Sequence, residues 1–240
     1  MKPVFHLSDL RTDRDPRELP AYGIAEAAHY LQVPAATLRS WAVGRPYPTR
    51  GGRRFFQPVI ELPERWSRIL SFTNLVEAHV LAAIRRQHGV TLGRVRKAIR
   101  FLRERLHSRH PLAERVFQTD GLDLFIEHAG LLIAVSRQGQ LEMRELLQAH
   151  LRRIEWDPSG TASRLFLFTR KGDLAQPKRI VVDPHVSFGR PSLAGTGIPT
   201  SVVAERYKAG ESMNSLTADY GCSREEIEEA IRCELRLEAA

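Results

Sequence analysis

The sequence predicts a mainly α-helical fold with small β elements, in the α+β class. Apolar residues recur at helical spacing in several stretches of the 240 residues, whereas runs rich in β-branched and aromatic residues are short. Helix-turn-helix patterns occur near both ends. A hydrophobic content of 42% in a chain of this length allows a buried core and two or three small domains.

The elements follow from the apolar spacing and from the Gly and Pro residues that interrupt it. Val33-Pro34 separates the first two helices, Gly89 ends the third, and Pro111 follows the fourth. Two extended runs, at 122–127 and 131–135, predict a β-hairpin. The predicted helices cover 24–31, 36–43, 72–87, 92–106, 143–154, 201–208, 213–220 and 223–237, and the predicted strands cover 53–56, 163–169 and 180–183.

Three regions are expected along the chain. Residues 1–70 form an N-terminal winged helix-turn-helix domain that begins with a polar arm. Residues 71–172 form a middle helical and β-hairpin region, and residues 173–240 form a C-terminal domain of three helices that resembles a second helix-turn-helix. Neither internal repeats nor low-complexity tracts are present.

The basic charge of the chain is concentrated in its first half. The net charge is +8, and residues 1–110 hold 20 of the 36 Lys and Arg but only 9 of the 28 Asp and Glu. The remaining residues have a slight acidic excess. This asymmetry favours a polyanion as the partner of the N-terminal half, with a solvated basic face as the simpler alternative.

The segment from Ile24 to Trp41 has the pattern of a helix-turn-helix. Ala28 lets the two helices approach closely, while Leu38 and Trp41 anchor the second helix, whose outward polar residues could reach base edges. The run 52–56 resembles a wing that contacts phosphates or the minor groove. The predicted DNA-binding residues are Thr37, Arg39, Ser40, Arg45, Arg50, Arg53 and Arg54.

This segment resembles the winged helix-turn-helix of MerR-type regulators, which have a Thr-Leu-Arg-aromatic helix followed by an Arg-rich, aromatic wing. The matching residues are Thr37, Leu38, Arg39, Trp41, Gly52, Arg53, Arg54 and Phe55. Pro34 departs from the pattern, because those proteins usually have a Ser or Thr helix cap there. The resemblance implies DNA binding, and a helical hairpin that only packs is the alternative.

The middle region contains a strongly basic stretch. Residues 85–109 hold nine Lys or Arg and a single acid, Glu104. They could follow a DNA backbone or form a solvated helix face. The apolar faces of helices 72–87 and 92–106 exceed what one small hairpin can cover. We therefore expect a homodimer interface here, which would present two DNA-binding units to a palindrome.

The C-terminal region leads from a Gly- and Pro-rich ribbon into three helices. Thr200 or Ser201 is expected to cap the first helix, Ser212 the second, and a Ser223–Glu226 capping box the third. Phosphates would repel the acids of the third helix, so this unit is expected to bind a protein or to dimerise. A plain solvated face is the alternative. Those acids are Glu225, Glu226, Glu228, Glu229 and Glu234.

Motifs in the same region resemble the small bacterial domain of unknown function that is typically encoded beside a PIN-like nuclease toxin. They are Asp183-Pro184, Gly189-Arg190-Pro191, Ala194-Gly195-Thr196, Ile198-Pro199, Ala209-Gly210-Glu211-Ser212, Asp219-Tyr220-Gly221 and Glu228-Glu229-Ala230. With the N-terminal segment and the block 72–77, most of residues 22–236 resembles the long VapB-type antitoxins. Gly197 is a departure, because many relatives have Arg there. The resemblance implies a PIN-like ribonuclease toxin as partner, encoded by a neighbouring gene, and repression through operator DNA.

PIN-like nucleases resemble one another in holding Mg²⁺ or Mn²⁺ with a cluster of carboxylates, which a cationic side chain of an inhibitor could occupy. The run 165–168 either adds to a sheet edge of the toxin or pairs within the chain. The predicted toxin-binding residues are Arg164, Arg170, Lys171, Lys178 and Arg179.

No catalytic motif is present, so an enzyme is not predicted. Neither a cofactor nor a metal is expected, since the histidines are scattered and Cys222 and Cys233 are interpreted as reduced thiols. No apolar run reaches membrane-spanning length and no signal region begins the chain, which predicts a cytoplasmic protein without membrane contact. Alternatives to the antitoxin are a MerR-like regulator whose C-terminal half senses a small molecule and an inhibitor whose N-terminal unit no longer binds DNA.

Overall fold

A computed structural model describes residues 15–49, 51–64, 66–86, 92–133, 137–170 and 172–235. The α-helices are α1 Ile24–Tyr30, α2 Ala35–Ala42, α3 Phe72–Arg86, α4 Leu92–Leu106, α5 Leu122–Ile133, α6 Arg137–Leu151, α7 Thr200–Lys208, α8 Met213–Tyr220 and α9 Arg224–Leu235. The strands are β1 Tyr22–Gly23, β2 Arg45–Thr49, β3 Gly52–Phe56, β4 Ile69–Leu70, β5 Ile154–Trp156, β6 Ala162–Phe166, β7 Ile180–Val182 and β8 Ser192–Leu193. The α+β class is confirmed.

The N-terminal unit (residues 22–70) is a winged helix-turn-helix, as predicted. Helices α1 and α2 pack through small and apolar residues: Ala27 and Ala28 of α1 are buried, and Leu38 and Trp41 of α2 are completely buried. Strands β2 and β3 form an antiparallel ribbon, the wing. Strands β1 and β4 pair beside α1 and connect this unit to α3.

The prediction of a β-hairpin at 122–127 and 131–135 is wrong, because helix α5 covers Leu122–Ile133. Alternate apolar residues at Leu122, Leu124 and Ile126 suggested a strand. The buried residues, however, are Leu122, Phe125 and Ile126, which follow the i, i+3, i+4 spacing of a helix. Residues 134–136 lie outside the described part of the chain.

Helix α3 is the central helix of the core and packs against α6, while α4 packs against α5. We predicted a dimer interface on α3 and α4 because a small hairpin could not cover their apolar faces. Helices α5 and α6 cover those faces instead, so that argument no longer holds. The apolar faces of α3 and α4 are covered within the chain. The buried residues of the two helices include Leu75, Val76, Val80, Leu81, Ile84, Val95, Ala98, Ile99 and Leu102.

Polar residues at the start of α3 form a buried hydrogen-bonded network. The Asn74 side chain donates to the carbonyl of Glu61 at 2.9 Å, and Glu77 lies 3.1 Å from Nδ1 of His110. Burial alone would lower the pKa of His110, but the hydrogen bond and charge of Glu77 outweigh it, so the pKa is raised. Asn74 and Glu77 can thus be buried in the core, since each has a hydrogen-bond partner.

A four-stranded antiparallel sheet connects the middle and C-terminal parts of the chain, in the order β5-β6-β7-β8. Of its two central strands, β6 belongs to the predicted middle region and β7 to the predicted C-terminal region, whose boundary was placed at residue 172. Strand β6 ends at Phe166 rather than at Thr169, because the next carbonyls turn towards Arg153. The buried guanidinium of Arg153 donates to the carbonyls of Phe166, Leu167 and Gln176.

The C-terminal module (residues 180–235) contains β7, β8 and a three-helix unit in which α7 and α8 pack against α9. The caps at Ser212 and at Ser223–Glu226 are confirmed. The prediction that Thr200 or Ser201 caps α7 is wrong. Pro199 stands at that position without a side-chain cap, and the buried Thr200 hydroxyl donates to the carbonyl of Pro191.

Candidate nucleic-acid interface

Helix α2 presents a short polar face to solvent at its N-terminal half. Leu38 and Trp41 turn inward, which leaves Arg39 exposed and Thr37 partly exposed. Arg39 is therefore in the position that a recognition helix uses to reach base edges in the major groove. Thr37 lies on the flank of the same face.

Ser40, which the sequence analysis placed on this surface, is buried instead. Only 6% of the residue is exposed, and its hydroxyl has no hydrogen-bond partner among the described residues. Along α2, Ser40 follows the exposed Arg39 by 100° and adjoins Trp41, so it falls on the inner flank. It cannot contact DNA in this conformation.

Two residues of this surface escaped the sequence analysis. Ala35 and Ala36 are exposed at the N-terminus of α2, directly before Thr37. Their small side chains would let the helix approach a base edge closely, and an alanine methyl can pack against the methyl group of thymine. Their position in the first turn of the second helix could have identified them, but the sequence prediction considered only polar residues there.

The wing begins earlier than predicted, since residues 45–49 form strand β2 and not a loop. In the register of the ribbon Tyr47 faces Arg54, and Pro48 faces Arg53. A two-stranded ribbon has free outer edges, where proline is tolerated because its missing N–H is not required there. Arg45, Arg53 and Arg54 are all exposed, and Arg50 lies outside the described residues.

The register separates the wing arginines onto two faces. Cross-strand partners share a face, so Arg45, Tyr47 and Arg54 lie on the face that also carries Phe56. Arg53 lies on the opposite face with Phe55. Arg53 and Arg54 are neighbours in sequence but are presented to different sides of the wing.

Helix α4 is attached to the wing and to the segment that follows it. The guanidinium of Arg96 stacks on the ring of Phe56, 4.2 Å from its centroid, and Arg103 donates to the carbonyl of Val59. Lys97 and Arg100 are exposed on the same helix. The basic residues of α4 therefore continue from the wing face that carries Arg45 and Arg54.

The arginines of this surface differ from those of the C-terminal module in their partners. Among the described residues, Arg39, Arg45, Arg53 and Arg54 have neither an ion pair nor a side-chain hydrogen bond, so their charge is available to an external anion. Every described arginine between residues 160 and 235 has an acidic partner within the chain. These are Arg164, Arg170, Arg179, Arg190, Arg206, Arg224 and Arg232.

The predicted toxin-binding cations are mostly occupied within the chain. Arg164 donates to Asp183 at 2.8 Å, Arg170 donates to Glu229 at 2.7 Å, and Arg179 pairs with Glu225. Lys178 is exposed, and its ammonium lies 4.9 Å from the centroid of the Phe166 ring. Lys171 lies outside the described residues, and these assignments stay predictions.

The alternative that the 165–168 run adds to a toxin sheet does not fit the topology. Strand β6 is paired on both sides, with β5 and with β7, so it has no free edge. Leu167 continues this pairing, because its amide donates to the carbonyl of Ile180. The second alternative, pairing within the chain, is what the structure shows.

Glu229 is the only glutamate of α9 that is buried in the described chain, at 2% exposure. It accepts hydrogen bonds from Thr169, Arg170 and Arg232. Burial alone would raise the pKa of Glu229, but these hydrogen bonds outweigh it and lower the pKa. Glu229 thus joins α9 to the end of the sheet and is not part of a solvated acidic face.

Cys222 and Cys233 are both buried and do not form a disulfide. The described residues contain no cluster of three or more His, Cys, Asp or Glu that could hold a metal ion. None of the helices in the described part of the chain is long and apolar enough to span a membrane.

Comparison with known proteins identifies a family for the N-terminal part of the chain and a relative that covers most of its length. A family described as "Putative DNA-binding HTH domain" matches residues 20–99, which include α1, α2, the wing, α3 and the first half of α4. The chain is 30% identical over 230 residues to "Putative antitoxin VapB45" of Mycobacterium tuberculosis, covering 89% of this chain and 93% of that protein. The chain belongs to the family of long VapB-type antitoxins.

Two further proteins and a second family are similar to this chain. "Uncharacterized protein Rv2308" of Mycobacterium tuberculosis is 27% identical over 219 residues, with 88% of each chain covered. The crystal structure of Rv2018 from that organism is similar with a TM-score of 0.63 and 26% identity, over 89% of this chain and 98% of that one. The family described as "Protein of unknown function (DUF433)" matches residues 180–232, within the C-terminal module. This VapB-type chain thus combines an N-terminal helix-turn-helix unit with a C-terminal module of the DUF433 family.

Proposed function

We propose that this protein is the antitoxin of a type II toxin–antitoxin system, which represses its own operon by binding operator DNA and inhibits a PIN-like ribonuclease toxin. The observation that carries the proposal is the set of unpaired guanidiniums at Arg39, Arg45, Arg53 and Arg54 in a winged helix-turn-helix. The relationship to a protein named as an antitoxin supports the second activity.

Operator binding would use three surfaces at once. The N-terminal half of α2 enters the major groove, where Arg39 reads a guanine edge and Ala35 and Ala36 allow close approach. Arg45 and Arg54 of the wing contact the adjacent backbone or minor groove. Lys97 and Arg100 of α4 extend the phosphate contacts, because α4 is fixed to the wing through Arg96 and Phe56.

Binding of the DNA should be tested on a labelled duplex from the region upstream of the gene, by fluorescence anisotropy at several salt concentrations. Replacing Arg39, Arg45 and Arg54 by Ala should abolish sequence-specific binding and reduce the salt dependence. The matched control replaces three paired arginines of the C-terminal part of the chain, Arg179, Arg206 and Arg224, by Ala.

The control variant should bind DNA as the wild type does. Equal loss in both triple variants would mean that total positive charge, and not the N-terminal surface, determines affinity. Absence of any salt-dependent binding by the wild type would contradict the repressor function.

Toxin inhibition would place a cation of this chain in the carboxylate cluster of a PIN-like nuclease. Of the predicted cations that the structure describes, Lys178 requires no intrachain ion pair to be broken. Arg164, Arg170 and Arg179 would each have to leave an acid of the same chain. We therefore assign the inhibitory role to Lys178 ahead of the three arginines.

The partner should be tested by co-expression with the product of the neighbouring gene, followed by co-purification and a ribonuclease assay. Lys178→Glu should relieve inhibition, whereas Lys97→Glu, an exposed lysine of α4, should not. Unchanged inhibition by Lys178→Glu would remove the assignment of this residue. Failure of any neighbouring nuclease to co-purify would remove the toxin-binding function itself.

A further inference from the structure

The C-terminal module presents one aromatic side chain almost entirely to solvent. Phe188 is 97% exposed and is the middle residue of a short 3-10 turn, Ser187–Gly189, that follows β7. Its backbone has φ = 54°, and that of Ser187 has φ = 49°. Two successive non-glycine residues in the left-handed region, one of them a bulky aromatic, are strained, and such strain concentrates at functional sites.

The segment that carries Phe188 is held in place by hydrogen bonds. The Ser187 hydroxyl donates to the carbonyl of Gly197 at 2.8 Å, and the amide of Gly189 donates to the carbonyl of Val186 at 2.9 Å. The amide of Arg190 donates to the carbonyl of Ser187 at 3.0 Å. The ring is therefore presented from a fixed backbone, which lowers the entropy cost of using it as an anchor.

A cavity of about 410 Å³ opens beside this segment. Its lining includes the apolar residues Phe166, Val181, Val186 and Leu193. The Arg164–Asp183 ion pair, Ser192 and residues 194–197 complete it. The Ser187–Gly197 hydrogen bond joins two of the segments that line the cavity. An engineered apolar cavity of about 150 Å³ already admits benzene, so this one has room for a phenyl ring.

The projecting ring adjoins the cavity, because Phe188 follows Val186 of the cavity lining with only Ser187 between them. We propose that this face is the interface between two copies of the chain, with Phe188 of each copy inserted into the cavity of the other. A two-fold axis pairs every contact with its converse, so a protrusion next to a matching cavity is self-complementary. One symmetric dimer would bury both Phe188 rings and fill both cavities.

The same segment is joined to the N-terminal unit, which supports this choice of partner. The Tyr22 hydroxyl donates to the carbonyl of Gly189 at 2.9 Å, and Arg190 pairs with Glu26 of α1. A Cβ atom on Gly189 would lie 2.5 Å from the Tyr22 hydroxyl, and Gly189 has φ = 73°. Pairing through this face places two DNA-binding units beside one two-fold axis, as a palindromic operator requires.

The oligomeric state of the full chain tests this interface by sedimentation equilibrium across a range of concentrations. The wild type should dimerise, and Phe188→Asn should raise the dimer dissociation constant about 30-fold or more, the range for truncating an anchor residue. Asn accepts the left-handed backbone, so the melting temperature should stay the same or rise. The matched control, Trp66→Asn, alters another aromatic with 95% exposure and should remain dimeric.

A mixing experiment separates this interface from every other occupant of the cavity. Ala194→Phe fills the cavity, so it should also be monomeric alone. An equimolar mixture of Phe188→Asn and Ala194→Phe retains one intact contact, because the ring of the second variant meets the open cavity of the first. The mixture should therefore form heterodimers more strongly than either variant self-associates.

A monomeric wild type, or a Phe188→Asn variant that dimerises as the wild type does, would overturn the proposal. So would variants that show no association on mixing. Dependence of nuclease binding on Phe188 in a chain that stays monomeric would assign the face to the toxin instead. None of these outcomes depends on whether operator binding is found.

Discussion

The two ends of the chain are both small helical units, but their arginines have different partners. In the N-terminal unit, Arg39 and the wing arginines Arg45, Arg53 and Arg54 are exposed and have no acidic partner among the described residues. In the C-terminal module, each described arginine pairs with an acid, as Arg206 does with Glu211 and Asp219. One unit keeps its cations available for a ligand, and the other uses them to hold itself together.

This difference shows that exposure of a cation does not establish that it is available. Arg164 is 53% exposed, yet it donates to Asp183 and lies near Glu155. An external carboxylate would have to compete with both. For a guanidinium without an intrachain partner, the same ligand replaces only water. Whether a cation already has an acidic partner within the chain is therefore a better guide to its availability for binding than its exposure.

The largest expected effect is the loss of the buried carboxylate of the module. Glu229→Gln should lower the free energy of unfolding by about 2 kcal/mol, because a buried carboxylate that accepts hydrogen bonds from Thr169, Arg170 and Arg232 is lost. Urea denaturation measures this. The control, Glu228→Gln, alters an exposed i,i+4 pair with Arg224 and should cost about 0.5 kcal/mol or less.

The same variant should change the acid sensitivity of the protein. Since the pKa of Glu229 is lowered in the folded state, its stabilisation is complete above the ordinary glutamate pKa of about 4.3 and is lost as the pH falls below it. Glu229→Gln should therefore be closer in stability to the wild type at low pH than at pH 7. A constant difference across that range would show that the carboxylate contributes through packing alone.

In the N-terminal unit the largest effect should come from the recognition helix. Arg39→Ala should weaken operator binding about 10- to 100-fold and relax the preference for one base pair, because a bidentate arginine–guanine contact is lost. Arg206→Ala removes an arginine of the module with two acidic partners and should leave DNA affinity unchanged. If Arg39→Ala weakened binding equally to all sequences, Arg39 would be a phosphate contact.

A smaller effect is expected along α4. Lys97→Gln and Arg100→Gln should each weaken binding a few-fold for specific and nonspecific DNA alike. Each should also reduce the slope of log affinity against log salt by about 1. Arg224→Gln, at the other end of the molecule, is the control for net charge. Unchanged salt slopes in both α4 variants would confine the interface to α2 and the wing.

The sequence predicted elements well where one physical signal dominated. Helix α4 was predicted at its observed limits, because its apolar stripe and basic arc alternate with a clear 3.6-residue period. Helix α5 was missed because its sequence is apolar on most sides, so no polar helix face stands opposite an apolar one to reveal the 3.6-residue period. Its alternate leucines then imitate a strand, and only the packing of Phe125 between neighbours decides the outcome.

The candidate site was predictable in outline but not in its side-chain partners. The helix-turn-helix spacing located α2 and the wing, since anchor residues such as Leu38 and Trp41 define the inner face. Ion pairs such as Arg170–Glu229 join residues 59 positions apart, and no local pattern encodes them. The predicted toxin-binding arginines could therefore be found as cations, but their engagement within the chain could not.

The smallest expected effect concerns Ser40, at the boundary between the two faces of α2. Its buried hydroxyl has no partner in the described residues, so Ser40→Ala removes an unsatisfied polar group and introduces a better helix former. The free energy of unfolding should rise by about 0.5 to 1 kcal/mol, and operator affinity should not change. A loss of operator affinity at unchanged stability would mean that α2 rotates on DNA to expose this residue, and the inner and outer faces assigned here would then have to be exchanged on that flank.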